Sequence, residues 1–503
     1  MKLSIGICKL GVCLLAMMTM MSSATAQDDS GQNQGRKHHH YKVIDLGTLG
    51  GANSESTQLN YYGTVAGDAE SGIPDLFAPN CWNNECAVEY AFKWRDGRRT
   101  VLGSLAKNAN SIPFAENDWG WEAGMSETGL LDDSLGTPQY APVLWKNGKI
   151  INLGTLGGAS GLATSVNNRG EVVGGVSNGV PDTLSYLDVD NWGFGPFPAN
   201  TQTRAFVWAN GLLFDLGTLG GADSIALFND DKGQVVGLSY VDDVPVFGTF
   251  PGTATFLWER GEMKNIGGLG GHFTGARWLN NRGEIVGVSN LINDPPFPHA
   301  FLWDGRSVRD LGTLGGDWST ADFVTDNGLI TGYSETVAGT HDLGHPYLWR
   351  DNHMIDLGPP AVGFNCAAGT SANIHAQVVG GAGCNADGLG YPFIWEKSNP
   401  IIDLNTLVVP GTKLLVQDAF SINDKGEIAC NGILPTGEQH ACLMVPVDFE
   451  HEWDDDATAG VQTAALNSVS ASNRVPEGSF IKSLLTESKR TARAPAKLRA
   501  PLR

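Results

Sequence analysis

The chain predicts an all-β fold built from many small, similar sheets, and three observations carry that reading. One set of short segments recurs about every 45–50 residues, which is the mark of a repeat architecture. Its clearest copies run Asp215-Leu-Gly-Thr-Leu-Gly-Gly221, Asn229-Asp-Asp-Lys-Gly-Gln-Val-Val-Gly237 and Thr255-Phe-Leu-Trp258, and then again Asn265-Ile-Gly-Gly-Leu-Gly-Gly271, Asn280-Asn-Arg-Gly-Glu-Ile-Val-Gly287 and Ala300-Phe-Leu-Trp303. Each segment is β-rich and bounded by Gly, Asn, Asp or Pro, as short strands are. The aromatic segment is apolar on both faces, so it is covered on both faces by neighbours. Four strands per unit, repeated eight times, give a β-propeller of eight four-stranded blades.

Taken in order, Met1 to Ala26 reads as a secretory signal. Lys2 and Lys9 open it, Leu10 to Met21 is nearly all apolar, and Ala24-Thr-Ala26 is a small-x-small cleavage site. No later segment approaches the length of a membrane span. Residues 27–40 are polar and end in His38-His-His40, a disordered stretch with no second group of metal ligands. The propeller occupies residues 41–447. Within each repeat, segment one is a Leu-Gly strand end (Val43 to Gly47) and segment two ends in Asn (Ala226 to Asn229). Segment three is Gly-x-Val-Val-Gly (Gly170 to Gly174) and segment four is the aromatic strand (Ala205 to Trp208). The piece between segments two and three, such as Asn423-Asp-Lys-Gly426, is tight-turn chemistry, so those two strands form a hairpin.

The phase of the repeat sets the closure. A blade that starts at the Asn-ending strand and finishes at the Leu-Gly strand runs from about Ser56 to Leu102 for the first copy and from about Ser371 to Leu404 for the seventh. The eighth has three strands between Leu415 and Pro446 and lacks its fourth. The strand Lys42 to Gly47 is a spare fourth strand at the other end of the repeat, and joining the two removes both exposed edges. After Pro446 the repeat stops. Residues 448–503 read as a disordered tail, acidic from Glu450 to Asp456 and basic at Lys489, Arg490, Arg493, Lys497, Arg499 and Arg503.

The formal net charge of −21 excludes the basic surface that phosphate neutralisation requires, so nucleic acid is not an expected partner. Cys81, Cys86, Cys366, Cys384, Cys430 and Cys442 follow the signal, an even number in three local pairs. In an exported chain these predict disulfides 430–442, 366–384 and 81–86. None of the pairs has the spacing of a zinc knuckle, and no metal or other cofactor is expected.

The motifs Ala-Phe-Leu-Trp, Asp-Leu-Gly-Thr-Leu-Gly-Gly and Asn-x-x-Gly-x-Val-Val-Gly, with His299-Ala-Phe301 among them, resemble the HAF repeat. The resemblance covers Tyr41 to about Val447 and implies a bacterial secreted or cell-surface repeat protein. It implies no reaction and no catalytic residues. The second copy departs most, because Ser126-Glu-Thr-Gly-Leu-Leu131 stands where the hairpin is expected.

The repeated residues read as scaffold. The repeat tryptophans are expected between blades, and the Leu-Gly-Gly glycines lack the strand-to-helix setting of a phosphate loop. The irregular aromatics carry more information. The loops between segments three and four contain Phe77 and Trp82, then Trp192, Phe194 and Phe197, then Phe247 and Phe250, then Phe297 and His299. The crossing from blade one to two adds Phe114, Glu116, Asp118, Trp119 and Trp121. Strand alternation places all of these on one end of the ring. The expected ligand face is therefore Phe77, Trp82, Trp119, Trp121, Trp192, Phe194 and Phe297, stacking on a polysaccharide or holding a surface protein. Glu116, Asp118, Glu122 and Asp132 are the carboxylates from which a glycan hydrolase or lyase could draw a catalytic pair, though no spacing selects one. A non-enzymatic binding module, secreted or held at the outer surface, is the favoured reading. A glycan-active enzyme and a purely structural surface protein are the alternatives.

Overall fold

The computed structural model describes residues 39–447, apart from 79–80, 82, 84–85, 133–137, 183–200, 247–249, 293–296, 341–342, 362, 384–389 and 397–399. Contacts divide the chain into two units, residues 1–38 and 39–503, and every described residue belongs to the second. The described part is all-β with one 3-10 turn, Leu404–Leu407, and contains no α-helix. The expected signal and the 448–503 tail lie outside the described residues.

Six four-stranded antiparallel sheets span residues 54–101, 111–152, 161–215, 319–356, 367–403 and 415–447, the last including the N-terminal strand His40–Asp45. An eight-stranded sheet spans residues 224–312, and a single parallel pair, Thr253 with Phe273, joins its two four-stranded halves. The arrangement is propeller-like. In the 415–447 sheet, Val43 pairs with Met444 and Ile44 with Leu443, so the N-terminal strand supplies the edge strand that the last repeat lacks. The first strands of successive sheets lie against one another, which puts them on the inside.

The aromatic segment is the third strand of each sheet and the wedge of the core. Phe92, Phe206, Phe256, Phe301, Tyr347 and Phe393 have no exposed surface, and the Ala beside several of them is equally buried. The Ala N–H donates to a Ser on the first strand of the next sheet: Ala91 to Ser111, Ala205 to Ser224, Ala300 to Ser319 and Ala441 to Ser54. The repeat tryptophans pack between sheets, as expected; the Trp145 indole reaches back to the Gly103 carbonyl at 3.1 Å. The Thr-Leu-Gly-Gly connection also has its reason. Its Leu N–H donates to a second-strand serine (Leu219 to Ser239, Leu314 to Ser334). Its last Gly lies so close to the second strand that a Cβ on Gly316 would sit 2.2 Å from that of Glu335. The His of His299-Ala-Phe301 pairs with Asp310 at 3.0 Å, and His345–Asp356 and His440–Asp45 repeat the pair at 2.9 Å.

Each first strand carries a register shift near its middle, at residue 57, 114, 164, 227, 277, 322, 370 and 420. A bulge re-aims side chains. Here it turns some of them toward the neighbouring sheet: Thr164 Oγ1 donates to the Ala226 carbonyl, and Arg277 forms a buried ion pair with Asp322.

The first hairpins are linked to one another by asparagine. In each such hairpin the Asn Oδ1 accepts two N–H groups of its own turn, as Asn167 does from Arg169 and Glu171. Its Nδ2 donates to the backbone of the next hairpin: Asn60 to the Asn117 carbonyl, Asn117 to Asn167, Asn167 to Asp230, Asn280 to Thr325, Asn373 to Asn423, and Asn423 to Asn60. Asp230 keeps the two accepted bonds but has no amide to give, and its Oδ2 is buried without a hydrogen-bond partner among the described residues. Burial pushes its carboxyl above the ordinary range, against the backbone N–H groups that favour the anion.

Two disulfides match the expected pairs. Cys430 and Cys442 are register partners in the 415–447 sheet with Cα atoms 4.9 Å apart, and Cys81–Cys86 closes a loop with Cα atoms 5.1 Å apart. Cys366 is also disulfide-bonded, while Cys384 lies outside the described residues.

Substituting Asp230→Asn restores the missing donor and raises stability at neutral pH by about 1 kcal/mol, the net worth of one hydrogen bond. The sign fixes the pH dependence. A carboxyl whose folded pKa is raised weakens the fold progressively as pH rises above its unfolded value of about 3.9. The gain from Asn is therefore absent near pH 4 and grows toward neutrality; melting curves at several pH values read it directly.

Candidate functional site

The sheet of residues 111–152 holds a different register from the expected one. Its first strand is Ser111–Glu116 and its second Glu122–Leu131, so the hairpin is Asn117-Asp-Trp-Gly120 and not Ser126 to Leu131. Asn117 Oδ1 accepts from the N–H groups of Trp119 and Trp121, and the positive φ of Gly120 completes the turn. The turn-like Thr128-Gly129 is used instead in a register shift near the end of the second strand, where Gly129 has φ 82°.

This register moves two of the expected ligand residues. Successive strands are antiparallel, so the loops between segments three and four and the Thr-Leu-Gly-Gly connections share one end of the sheets. The first hairpins lie at the other end. Trp119 and Trp121 therefore sit at the end opposite Phe77 and Phe297, and the expected single face does not gather them. Phe77 is half-buried in its loop, its N–H bonded to Asp75. Phe297 packs on Trp318 with ring centroids 6.2 Å apart. Trp82, Trp192 and Phe194 lie outside the described residues.

What does converge is at the hairpin end. The tip residues of the first hairpins are mostly polar: Asn168-Arg169, Asp231-Lys232, Asn281-Arg282, Asp326-Asn327 and Asp424-Lys425. The hairpin Asn60-Tyr-Tyr-Gly63 and its neighbour Asn117-Asp-Trp-Gly120 carry aromatics instead. Tyr61 is 52% exposed, Tyr62 46% and Trp119 68%. The two tyrosines meet edge to face at 5.2 Å, and the Trp119 indole N–H is tied to the Asn168 carbonyl at 3.0 Å. The tie fixes the ring while most of its surface stays in water. Trp121, by contrast, is packed: Lys146 Nζ lies 3.7 Å from its ring centroid, and a Cβ on Gly170 would sit 2.6 Å from its ring.

Tyr62 is also one wall of a groove of about 560 Å³ between the 415–447 and 54–101 sheets. Ile44, Trp94, Leu443 and Val445 supply apolar lining, and Lys42, Asp96 and Glu427 bring charge.

Of the four candidate carboxylates, the structure brings two together. Glu116 and Glu122 are direct cross-strand partners. Lys93, from the neighbouring sheet, lies 3.0 Å from Glu122 Oε1 and donates to the Gly120 carbonyl at 2.8 Å. Both Glu116 oxygens are buried without a hydrogen-bond partner among the described residues. Burial, then the neighbouring Glu122, pushes the Glu116 carboxyl well above the usual range, opposed by Lys93 and Arg95. Burial likewise raises Glu122, to about 7, although Lys93 favours its anion. Asp118 is exposed in the turn and bonded by Asn168. Asp132 is buried at the far end of the second strand.

Tyr61, Tyr62 and Lys93 are contributors that the reading by loop class missed. The signal was present for the tyrosines, since aromatic residues occupy turn positions that are polar in most other copies. No spacing rule announces Lys93, which reaches the site from the third strand of another sheet.

No family model matches the chain, and no curated protein matches it. Among solved structures it is similar to the dipeptidyl peptidase 4 of Porphyromonas gingivalis, at 8% identity and a TM-score of 0.44, over 79% of this chain and 60% of that one. It is also similar to the GH93 alpha-L-arabinofuranosidase of Fusarium graminearum in complex with arabinobiose, at 10% identity and a TM-score of 0.28, over 81% of this chain and 98% of that one. The chain thus spans less than two thirds of the peptidase.

The two tryptophans separate on mutation. Trp121→Ala removes a packed ring and costs about 3 kcal/mol of stability, whereas Trp119→Ala stays within about 0.5 kcal/mol because the ring is largely exposed. Thermal unfolding of both variants tests the register.

Proposed function

We propose that this is an exported, eight-bladed propeller that binds a carbohydrate polymer without turning it over, and that Tyr61, Tyr62 and Trp119 form the binding surface. The observation that carries the reading is the exposure of three aromatic rings on two adjacent hairpin tips. Exposed aromatics clustered on one patch are the usual sign of a partner. Rings tied in place, as Trp119 is, lose little conformational freedom when a flat apolar face stacks on them. The groove beside Tyr62 extends the surface and offers Lys42, Asp96 and Glu427 to hydroxyl groups.

The eight-bladed count takes the two halves of the eight-stranded sheet as separate blades, joined as they are by one pair. Closure of the ring is supported by the Val43–Met444 pairing and by bonds from the last sheet to the first, Ser56 N–H to Asn431 Oδ1 at 2.8 Å and Asn423 to Asn60. Export is supported by the disulfides, which form in an oxidising compartment. Among the described residues no helix is long and apolar enough to cross a membrane.

Binding is favoured over hydrolysis because Glu116 and Glu122, the two of the four candidate carboxylates that come together, have their oxygens out of solvent's reach. A general acid must reach the bond it protonates. A surface protein is the second class of partner, and the same test separates the two.

The experiment is binding of the secreted chain to a panel of polysaccharides and to cell-surface extracts, with Trp119→Ala and Tyr62→Ala beside it. A polysaccharide hit weakened about tenfold or more by either substitution (the loss of about 1.4 kcal/mol of contact) supports the reading. Hits that both variants retain in full, or release of reducing ends from any bound glycan, refute it.

A further inference from the structure

The Glu116–Glu122 pair is buried, shares one close cation and sits directly beneath the hairpin that presents Trp119. We propose that this pair is a proton switch for the aromatic surface: while the pair keeps a proton the hairpin holds Trp119 in place, and once that proton is lost the hairpin opens to solvate the carboxylate and the surface loses affinity. The proposal rests on the binding surface argued above and adds its regulation.

The geometry supplies the parts. Glu116 ends the first strand and Glu122 begins the second, so the five residues 117–121, which carry the turn and Trp119, join them directly. Lys93 holds that hairpin by its Gly120 carbonyl and holds Glu122 with the same ammonium. The turn lies directly against the pair and its cation: a Cβ on Gly120 would be in ordinary contact with both, 3.6 Å from Glu116 Oε1 and 3.7 Å from Lys93 Nζ. The charged groups facing the pair are Lys93 and Arg95 from the neighbouring sheet, Glu122 across the hairpin and Asp118 in the turn. On the far side, Lys146 lies on the Trp121 ring and Arg169 is already paired with Glu171. With one proton on the pair, the acids Glu116, Glu122 and Asp118 balance Lys93 and Arg95. Without it, Glu116 is a buried anion that accepts no hydrogen bond, and it gains solvation only if the hairpin opens.

Both acids have folded pKa values raised above the unfolded one, Glu122 to about 7 and Glu116 well above the usual range, so the ordered hairpin is favoured at low pH and weakened progressively as pH rises above the unfolded value of about 4.3. The apparent midpoint belongs to the pair and not to either residue.

The test needs no ligand. The full chain is labelled with 5-fluorotryptophan, the Trp119 fluorine resonance is assigned from Trp119→Phe, and its position is followed from about pH 5 to 9. The expected result is a Trp119 resonance that titrates within this range. Glu116→Gln and Glu122→Gln each relieve the like-charge repulsion and move the midpoint down by roughly one pH unit or more, while Lys93→Gln moves it up by as much. A Trp119 resonance that does not titrate in this range, or a midpoint unchanged in Glu116→Gln or in Lys93→Gln, overturns the switch. Polysaccharide affinity measured on the same samples falls roughly three- to tenfold between about pH 6 and 9. A titrating Trp119 with polysaccharide binding unaffected by Trp119→Ala leaves the switch standing and refutes only the carbohydrate surface.

Discussion

The turn asparagine is the constraint on which the rest depends. One planar amide meets two demands: its oxygen folds the hairpin by accepting two N–H groups of its own chain, and its nitrogen fixes where the next hairpin stands. A residue with only an oxygen can do the first and not the second, which is the position of Asp230. Sheets that share few other main-chain bonds are thereby held at matched height, and the apolar wedges of Phe, Ala and Trp are brought to the depth at which they interlock. Hydrophobic packing alone is non-directional; the amide supplies the direction.

That division of labour explains how the surface can vary. Because the asparagine and the glycine three residues later complete the turn, the two tip residues between them are not needed to fold their own hairpin, and several of them bond to the next tip instead, as Asn168 does to Asp118 and Asp231. Polar pairs fill most tips, and Tyr61-Tyr62 and Asp118-Trp119 fill two adjacent ones. The variation is cheap at the tips and costly beneath them. The sheet end below Trp119 contains a cross-strand acid pair, an arrangement that would weaken a sheet without Lys93 reaching in from the neighbour.

The sequence made the strands and their pairing readable because their physics is local and repeated. Strands apolar on both faces, Asn-to-Gly turns and a spare strand ahead of a short final repeat each point to one solution, and Cys430 and Cys442 fall on strands that a single loop separates. The register of the 111–152 sheet was not readable in the same way. Ser126-Glu-Thr-Gly129 has genuine turn chemistry and spends it on a shift within a strand, while Asn117-Asp-Trp-Gly120 hides a turn behind a tryptophan that belongs to strands by propensity. Only the side-chain bonds of Asn117 decide between them. The placement of Trp119 and Trp121 was misread for the same reason, since the end of a sheet on which a residue lies depends wholly on register. The role of Lys93 could not be read at all, because it arises from how one sheet stands against the next.

His40 and Val447 are register partners, so the two ends of the folded region leave side by side from one antiparallel pair. A pull on both flanking segments would load that pair from its end and part its hydrogen bonds singly, like a zip. The same seam makes the termini easy to join: a linker of a few residues from Val447 to His40 would turn the folded region into a continuous loop of chain. Such a chain could be cut anew at an exposed turn such as Asn210-Gly211, and a pull on its new ends would no longer fall on the seam.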